Sequence, residues 1–374
     1  MIRRLGPVTF AELMEVALYD AGGGFFVTGG AAGRAGDFLT SPEVGPLFGA
    51  VMARALDAWW AESGQPDPYI VVDAGAGAGT LAAAVRAAQP ACAPALHYVM
   101  VERSEALRAR HSKRVPLEPP SAGSGIAGAD EDDEPGALHR PIGPGPTFTS
   151  LGAVPAVPLN GIVIANELLD NLPFHLLERG GRGEREGWDE VRVGEQDGRL
   201  IEVLVPAPPA LSAEAATLVP RPTGGSRIPL QMEARSWLSQ ALSLVELGRV
   251  VVIDYGDTTP SLAARPPAEW LRTYRGHHRG GNPLEQPGSQ DITCEVAVDQ
   301  LARVRRPDLV RSQAEFLESH GIEELVVAAR AVWQQRAHLG DMDALKARSR
   351  VGEAAALTDP AGLGSFRVLE WAVG

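Results

Sequence analysis

A glycine turn between a short apolar strand and a helix is the strongest local pattern in the sequence. Residues 69–73 form the apolar strand, the turn carries Gly75, Gly77 and Gly79, and residues 80–88 have helical spacing. A second apolar strand over residues 97–102 completes the unit. Strand, helix and strand within about 35 residues predict parallel strands joined by a right-handed crossover. The sequence therefore predicts an α/β fold.

The glycine turn also indicates a ligand site. Glycines let the backbone approach a ligand closely, and the helix after the turn begins with free N–H groups. Asp73 precedes the turn, and Glu102 ends the second strand, where a carboxylate suits a ribose. The spacing G-x-G-x-G differs from the G-x-G-x-x-G of dinucleotide sites and disfavours a nicotinamide enzyme. From these residues alone, a tight turn without a ligand and a solvated Glu102 remain alternatives.

Charge and cysteine content narrow the function classes. The formal net charge of −13 disfavours a nucleic-acid partner and permits a basic protein or peptide. Two cysteines, Cys92 and Cys294, are too few for a disulfide framework or a four-cysteine zinc site, and we predict no metal. No apolar run reaches membrane-spanning length, and the first residues do not resemble a secretory signal. We therefore expect no membrane partner and a cytoplasmic location.

Several segments in a fixed order around the glycine turn carry a family resemblance. They cover residues 36–43, 165–173, 253–256, 274–277 and 291–293, with further matches at 313–317 and 362–369. Together with the turn they resemble the MidA family of class I S-adenosylmethionine-dependent methyltransferases, which is related to the mitochondrial protein arginine methyltransferase of complex I assembly. The resemblance spans almost the whole chain except residues 116–146.

The resemblance implies S-adenosyl-L-methionine as the cofactor and S-adenosyl-L-homocysteine as its product. In the family, the acid before the turn helps to hold the amino group of the methionine part, and the acid at the end of the second strand binds the ribose hydroxyls. Residues 37–43 are expected to fold over the cofactor as a lid. The predicted cofactor-binding residues are Thr40, Pro42, Asp73, Gly75, Gly77, Gly79, Glu102 and Asn166.

The resemblance also implies a protein or peptide acceptor that is methylated on arginine. Carboxylates can hold a guanidinium by paired hydrogen bonds, and Glu167 and Asp170 are predicted to do so, sharing one face if a helix begins at Glu167. His277 is a candidate proton acceptor. The predicted substrate-binding residues are Glu43, Asp254, Tyr255, Tyr274 and Arg275. From the residues alone, Glu167 and Asp170 equally suit a helix cap.

Two other functions remain open at this point. The fold does not determine the acceptor, so a small-molecule or peptide tailoring methyltransferase fits the same pattern. A non-catalytic assembly factor that binds S-adenosylmethionine without turnover is the second alternative. The sequence does not indicate an oligomeric state.

The predicted architecture is a Rossmann-like class I methyltransferase fold, with a mainly parallel sheet flanked by helices. Residues 1–66 are predicted as an N-terminal helical cap and lid, and residues 67–374 as the methyltransferase domain. That domain carries a disordered insertion near 116–146 and an acceptor-side region near 171–247, which contains a hairpin over 188–205. We further predict helices over 229–247 and 322–335, a long loop over 257–295 and a last strand over 366–371.

Overall fold

The computed structural model describes residues 2–28, 30, 40–118, 145–180, 187–276 and 278–374. The predicted insertion lies largely outside these residues, and residues 37–39 of the predicted lid and His277 also lie outside them. The chain begins with α1 (Ile2–Leu5), β1 (Val8–Thr9), α2 (Phe10–Tyr19), α3 (Ser41–Val44) and α4 (Pro46–Glu62). A capping box starts α2, in which the Thr9 hydroxyl accepts from the Glu12 N–H and the Glu12 carboxylate accepts from the Thr9 N–H.

The next elements build most of the central sheet. They are β2 (Tyr69–Ala74), α5 (Thr80–Ala88), β3 (Leu96–Val101), α6 (Glu105–Arg108), β4 (Thr147–Leu151) and β5 (Leu159–Asn166). A second group of elements follows: β6 (His175–Arg179), β7 (Trp188–Gln196), β8 (Arg199–Pro206), α7 (Pro209–Leu218) and β9 (Arg227–Leu230).

The last third of the described chain alternates between the central sheet and smaller ones. Its first elements are α8 (Met232–Leu244), β10 (Val245–Asp254), β11 (Gly256–Asp257), α9 (Thr259–Ala263), α10 (Pro267–Trp270), β12 (Leu271–Arg275) and β13 (His278–Arg279). Its last are β14 (Asp291–Cys294), β15 (Val296–Ala297), α11 (Val298–Val304), β16 (Leu309–Ser312), α12 (Gln313–Ser319), α13 (Ile322–Arg336), α14 (Met342–Leu357) and β17 (Arg367–Val373).

The central sheet has the strand order β16-β17-β10-β5-β2-β3-β4. Neighbouring strands from β10 to β4 are parallel, and β17 is antiparallel to both of its neighbours. The chain runs from β2 outward to β4 and then returns to β5 on the other side of β2. Open α/β sheets bind ligands at such a switch point, beyond the carboxyl ends of the strands. The predicted Rossmann-like fold is confirmed.

Helices cover both faces of the central sheet, so its strands are apolar on both sides. Within β5, Ile162 and Ile164 pack into the core formed with α4 and α5, whereas Val163 and Ala165 pack into the core formed with α8. The alternation follows from the two-residue period of a strand. These two cores fix the carboxyl ends of β2, β3 and β5 at one edge.

A second, antiparallel sheet lies in the predicted acceptor-side region. It has the order β1-β7-β6-β9, and β8 also pairs with β7. The predicted hairpin is present as β7 and β8, whose turn places Asp197 at φ 52° and Gly198 at φ 78°. Positive φ at both positions suits the right-handed twist of the two strands. The predicted division at residue 66 stays a prediction, although β1 joins this sheet through β7.

Two sequence-based predictions of local structure are wrong. The predicted helix over residues 229–247 is shorter, because β9 ends at Leu230 and β10 begins at Val245. The predicted loop over residues 257–295 contains two short helices and three strands that pair as β13-β12-β14. Strands of two to five residues are too short to show a clear period. Among the described residues, no helix is long and apolar enough to cross a membrane.

Candidate active site

A cleft of about 340 Å³ opens at the carboxyl ends of β2, β3 and β5, at the switch point of the sheet. Its wall combines the glycine turn, the ends of these strands and the start of α3. The cleft brings together nine of the predicted site residues: Thr40, Pro42, Glu43, Asp73, Gly75, Gly77, Glu102, Asn166 and Glu167.

The three turn glycines all have positive φ, of 74° at Gly75, 55° at Gly77 and 79° at Gly79. A Cβ on Gly75 would lie 2.9 Å from Cδ1 of Leu168, whereas a Cβ on Gly77 would meet open space. Gly77 therefore leaves room for a ligand. Gly79 is the N-cap of α5 and packs behind the turn rather than on the cleft wall.

A buried histidine supports the turn from behind. His111 Nε2 lies 2.8 Å from the Gly77 carbonyl oxygen, and its Nδ1 lies 2.8 Å from Oγ of Ser150. Because a carbonyl oxygen only accepts, Nε2 carries the hydrogen and Nδ1 accepts from the Ser150 hydroxyl. Burial lowers the pKa of His111, which favours this neutral form. The histidine thus fixes the position of Gly77.

Replacing this histidine is expected to weaken cofactor binding. In His111→Ala the Gly77 carbonyl loses its hydrogen bond, and we expect the affinity for S-adenosylhomocysteine to fall about tenfold, the effect of one hydrogen bond. Calorimetric titration measures the change. His97→Ala is the matched control, because His97 is also buried on the sheet but bonds Thr147, away from the turn. Equal losses in both variants would show general destabilisation instead.

Two carboxylates flank the turn. Asp73 is 2% exposed and accepts a 3.0 Å hydrogen bond from the Tyr98 hydroxyl, and burial raises its pKa to about 7. Glu102 accepts from the Gly77 N–H at 2.9 Å and from the Ser104 N–H at 2.8 Å, one bond to each oxygen. A carboxylate oxygen can accept a second bond, so Glu102 keeps capacity for hydroxyl donors in the cleft.

The described part of the predicted lid is tied to two sides of the cleft. The Thr80 hydroxyl donates to the Glu43 carboxylate, which joins α3 to α5. The Ser41 N–H donates to Oε1 of Glu167 over 2.8 Å, which joins α3 to the end of β5. Thr40 is the N-cap of α3, and Pro42 lies in its first turn. This arrangement holds the start of α3 over the cleft.

Glu167 adopts a strained conformation at the end of β5. Its φ is 50°, in the left-handed region that non-glycine residues rarely occupy and that is enriched at functional sites. Its N–H donates to the Ile253 carbonyl oxygen over 2.8 Å, which fixes the bend. The neighbouring Asn166 is 9% exposed, and its Oδ1 takes no hydrogen bond from any residue that the structure describes. The cleft therefore offers a buried acceptor atom suited to a ligand N–H.

The free energy of unfolding is expected to fall as pH rises through the pKa of Glu167. Burial raises this pKa from 4.5 to about 8. A carboxyl whose pKa is raised on folding stabilises the fold fully below its unfolded pKa, and this contribution is lost as pH rises through the folded pKa. We expect the urea midpoint of the wild-type chain to fall more steeply between about pH 5 and about pH 9 than that of Glu167→Gln. Equal slopes would contradict the raised pKa.

Asp170 and Tyr255 lie together behind Glu167. The Tyr255 hydroxyl donates to Oδ2 of Asp170 over 2.9 Å, and burial raises the pKa of Asp170 to about 6. Oδ1 of Asp170 is buried and takes no hydrogen bond from the described residues. No α-helix begins at Glu167, which was the condition for Glu167 and Asp170 to share a helix face: the backbone bends there, and a 3₁₀ turn over Leu169–Asn171 follows.

Asp254 holds the segment that follows Glu167. Its Oδ2 accepts from the N–H groups of Leu169 and Asp170 at 3.0 and 3.3 Å, and its Oδ1 accepts from the Tyr255 N–H at 2.9 Å. It is 1% exposed, and burial together with the charges of Asp170 and Glu167 raises its pKa well above the ordinary value. In this structure Asp254 positions the loop and does not line the cleft.

The remaining predicted residues lie elsewhere. Arg275 is exposed on β12 and donates to the Ser289 carbonyl oxygen and to Oε1 of Gln286, each over 2.9 Å. It lines a separate open hollow, and neither it nor Tyr274 reaches the cleft wall. His277 lies outside the described residues.

Sequence reasoning missed several residues of the cleft wall, among them Tyr19, Phe26, Arg103 and Trp237. The Arg103 guanidinium stacks over the Tyr19 ring at 4.5 Å, and the rings of Tyr19 and Phe26 stack at 5.6 Å. Trp237 reaches the cleft from α8. Tyr19 lies at the end of an amphipathic helix, where an aromatic side chain more often packs into a core than lines a site.

Comparison with known proteins identifies the family of this chain. The model of a family described as "Putative S-adenosyl-L-methionine-dependent methyltransferase" matches residues 51–313. The mouse protein arginine methyltransferase NDUFAF7, mitochondrial, is 28% identical over 342 residues, which cover 86% of this chain and 72% of that protein. The human protein of the same name is 28% identical over 345 residues, with the same coverage.

Solved structures agree with the family match. A Burkholderia thailandensis protein crystallised with S-adenosyl-homocysteine is 27% identical and superposes with a TM-score of 0.78, covering 99% of this chain and 89% of that one. A second crystal structure from that organism gives 25% identity and a TM-score of 0.75. These matches confirm the predicted resemblance and the predicted cofactor. The chain belongs to this family of S-adenosyl-L-methionine-dependent methyltransferases.

Proposed function

We propose that the chain transfers the methyl group of S-adenosylmethionine to a guanidinium nitrogen of an arginine in a protein or peptide. Methyl transfer from S-adenosylmethionine is the reaction of the family, and we assign arginine as the acceptor. The observation that carries the proposal is the strained, half-buried Glu167 on the cleft wall, with the carboxyl of Asp170 directly behind it.

The cleft residues fit the cofactor. The buried Oδ1 of Asn166 and the carboxyl of Asp73 would hold the amino group of its methionine part, and Glu102 would accept from the ribose hydroxyls. The open space beside Gly77 admits the cofactor close to the backbone. When bound, the cofactor supplies an electrophilic methyl group on a sulfonium. The remaining chemistry, which is to hold and orient the nucleophile, falls to this chain.

A cationic acceptor suits the far end of the cleft. Glu167 presents acceptor oxygens on the cleft wall, with the buried carboxyl of Asp170 behind it. A guanidinium carries five N–H donors and a permanent charge. Hydrogen bonds from Ser41 and Asn166 both go to Oε1 of Glu167, so Oε2 is the oxygen that we assign to the arginine. One guanidinium nitrogen bound there would have its lone pair directed towards the methyl group.

The raised pKa of Glu167 suits proton removal. In the ligand-free fold, burial and the Asp170 carboxyl favour the protonated form. A nearby guanidinium and sulfonium favour the carboxylate, so acceptor binding would release the proton. The methylated nitrogen must then lose a proton, and a carboxylate with a raised pKa accepts it better than an ordinary one.

The names of the relatives support the same acceptor. The mouse, human and Drosophila proteins are named as protein arginine methyltransferases, at 27–28% identity to this chain. This identity is too low to transfer a substrate, since one fold serves many acceptors. The acidic acceptor end and these names point to arginine independently.

The test uses S-adenosylmethionine labelled on the methyl group. We expect label to enter a pool of peptides with a central arginine and varied flanks, and to appear as methylated arginine after hydrolysis. Matched pools with lysine or citrulline at the central position should stay unlabelled, because citrulline keeps the shape without the charge. Label that enters only small molecules of a cell extract would overturn the arginine assignment and favour a tailoring enzyme.

A further inference from the structure

A separate hydrophobic core divides the described fold into two parts. α2, β6, β7 and β14 pack around a core that includes Phe10, Val191 and Ile292, whereas the central sheet packs into two other cores. We call the first group of elements the lobe. Tyr19 and Phe26 pack against the lobe core and also line the cleft. One wall of the cleft therefore belongs to the lobe, and the wall with the glycine turn belongs to the central sheet.

Buried hydrogen bonds join the lobe to the chain that follows β5. Nδ2 of Asn171 donates to Oδ1 of Asp291 over 2.9 Å and to the Ile292 carbonyl oxygen over 3.1 Å. Asn171 and Asp291 are both buried. Breaking such bonds leaves polar groups without partners in the interior, which is strongly unfavourable. We therefore expect the lobe and the central sheet to stay joined on this side.

The lobe also contacts the chain that follows β3. Nη1 of Arg103 donates to Oε2 of Glu15 on α2 over 3.2 Å, and its Nη2 donates to the same carboxylate. The Arg103 guanidinium lies 4.5 Å from the centre of the Tyr19 ring, and the Ser104 hydroxyl donates to the Phe26 carbonyl oxygen over 2.7 Å. The Arg103 and Glu15 side chains are 59% and 43% exposed. An exposed ion pair contributes little free energy, so we expect this side to open first.

The two sides lie on opposite flanks of the glycine turn. The turn follows β2, and β2 lies between β5 and β3 in the central sheet. Glu102, which we assign to the ribose, directly precedes Arg103, and its Oε1 accepts from the Ser104 N–H over 2.8 Å. The side that is expected to open is therefore the side of the cofactor ribose. Closure of two parts around a ligand, with a hinge on one side, is a common protein motion.

We propose that the ion pair between Arg103 and Glu15 controls cofactor exchange: the lobe opens about the side of Asn171, and the cofactor enters and its product leaves while the ion pair is broken. Closure brings Tyr19 and Phe26 against the cofactor end of the cleft and excludes water from it. This inference requires only the cofactor of the family and is independent of the methyl acceptor.

The first experiment measures the two rate constants of S-adenosylhomocysteine binding, kon and koff, by stopped-flow fluorescence with Trp237 of the cleft wall as the reporter. Glu15 does not line the cleft, so its carboxylate stabilises the closed form equally with and without cofactor. Its loss should speed entry and release by the same factor and leave Kd unchanged. We expect both rate constants to rise about threefold in Glu15→Gln and about tenfold in Glu15→Lys, which repels Arg103.

Glu324→Gln is the matched control for the loss of an exposed ion pair. Glu324 bonds Arg54 over 2.6 Å, and neither residue lines the cleft. Both rate constants should equal those of the wild type in this variant. Wild-type rate constants in Glu15→Lys would reject the proposed control of exchange. A rise in koff alone, with a weaker Kd, would show that Glu15 supports the bound cofactor instead, and the inference would fail.

A second test uses the wild-type chain and changes only the salt concentration. Salt screens exposed ion pairs, whereas S-adenosylhomocysteine carries one positive and one negative charge and no net charge. Raising the salt concentration should therefore increase kon and koff of the wild type together, by about the factor seen in Glu15→Gln. The rate constants of Glu15→Gln itself should stay nearly constant. An equal salt dependence in the two proteins would contradict a role for this ion pair.

Discussion

Glu167→Gln is expected to slow methyl transfer to arginine peptides by about 10³-fold, the size of effect seen when a charge-stabilising or proton-accepting group is removed. The amide keeps the shape of the side chain but carries no charge, and its NH₂ group would face the guanidinium donors. The affinity for S-adenosylhomocysteine should change little, because the assigned cofactor contacts lie at Asp73, Glu102 and Asn166. Labelled-methyl kinetics and calorimetric titration measure the two effects.

Glu246→Gln is the control for the loss of one acidic group. Glu246 is exposed near the start of β10, at the opposite end of that strand from the site. This control should retain the wild-type rate. Retained transfer in Glu167→Gln would reject the acceptor role of Glu167, and a parallel loss of cofactor affinity would reassign that residue to the cofactor end of the cleft.

Glu102→Ala is expected to lower the affinity for S-adenosylhomocysteine by about 100-fold. The change removes the acceptor for the ribose hydroxyls, and hydrogen bonds to a charged group contribute about 1.5–3 kcal/mol each. It also removes the bonds from the N–H groups of Gly77 and Ser104, which order the turn before the cofactor binds. Both effects act in the same direction.

Glu105→Ala controls for charge and for local stability. Glu105 lies three residues further on, exposed in the first turn of α6. We expect this variant to bind the cofactor product as the wild type does. Wild-type affinity in Glu102→Ala would mean that the ribose lies elsewhere, and the assignment of the cofactor residues would fail.

The cofactor end of the cleft was predictable because its signals are local. A strand, a glycine turn and a helix follow one another directly, and the second strand ends in Glu102. The parallel sheet then brings Asp73 and Glu102 to the same edge, since Asp73 lies at the carboxyl end of β2 and Glu102 follows β3. No long-range contact had to be known for this step.

The acceptor end depends on contacts that the sequence does not encode locally. Glu167 has a positive φ and does not begin a helix. The separation of three residues therefore did not predict how Asp170 lies relative to Glu167. Tyr274 and Arg275 were grouped with the site by order along the chain, yet neither lines the cleft, and Arg275 lines a separate hollow. Tyr19 and Trp237 reach the cleft from helices far apart in sequence. The bond between Ser41 and Gln313 spans 272 positions.

A crystal structure of the chain with S-adenosylhomocysteine tests the arrangement of the cleft most directly. We predict that both ribose hydroxyls lie within hydrogen-bond distance of the Glu102 carboxylate, and that the amino group lies beside Asp73 and Oδ1 of Asn166. The sulfur should then face Glu167, with space between them for a guanidinium. An adenosine at the Glu167 end of the cleft, or a sulfur turned away from that carboxylate, would contradict the account.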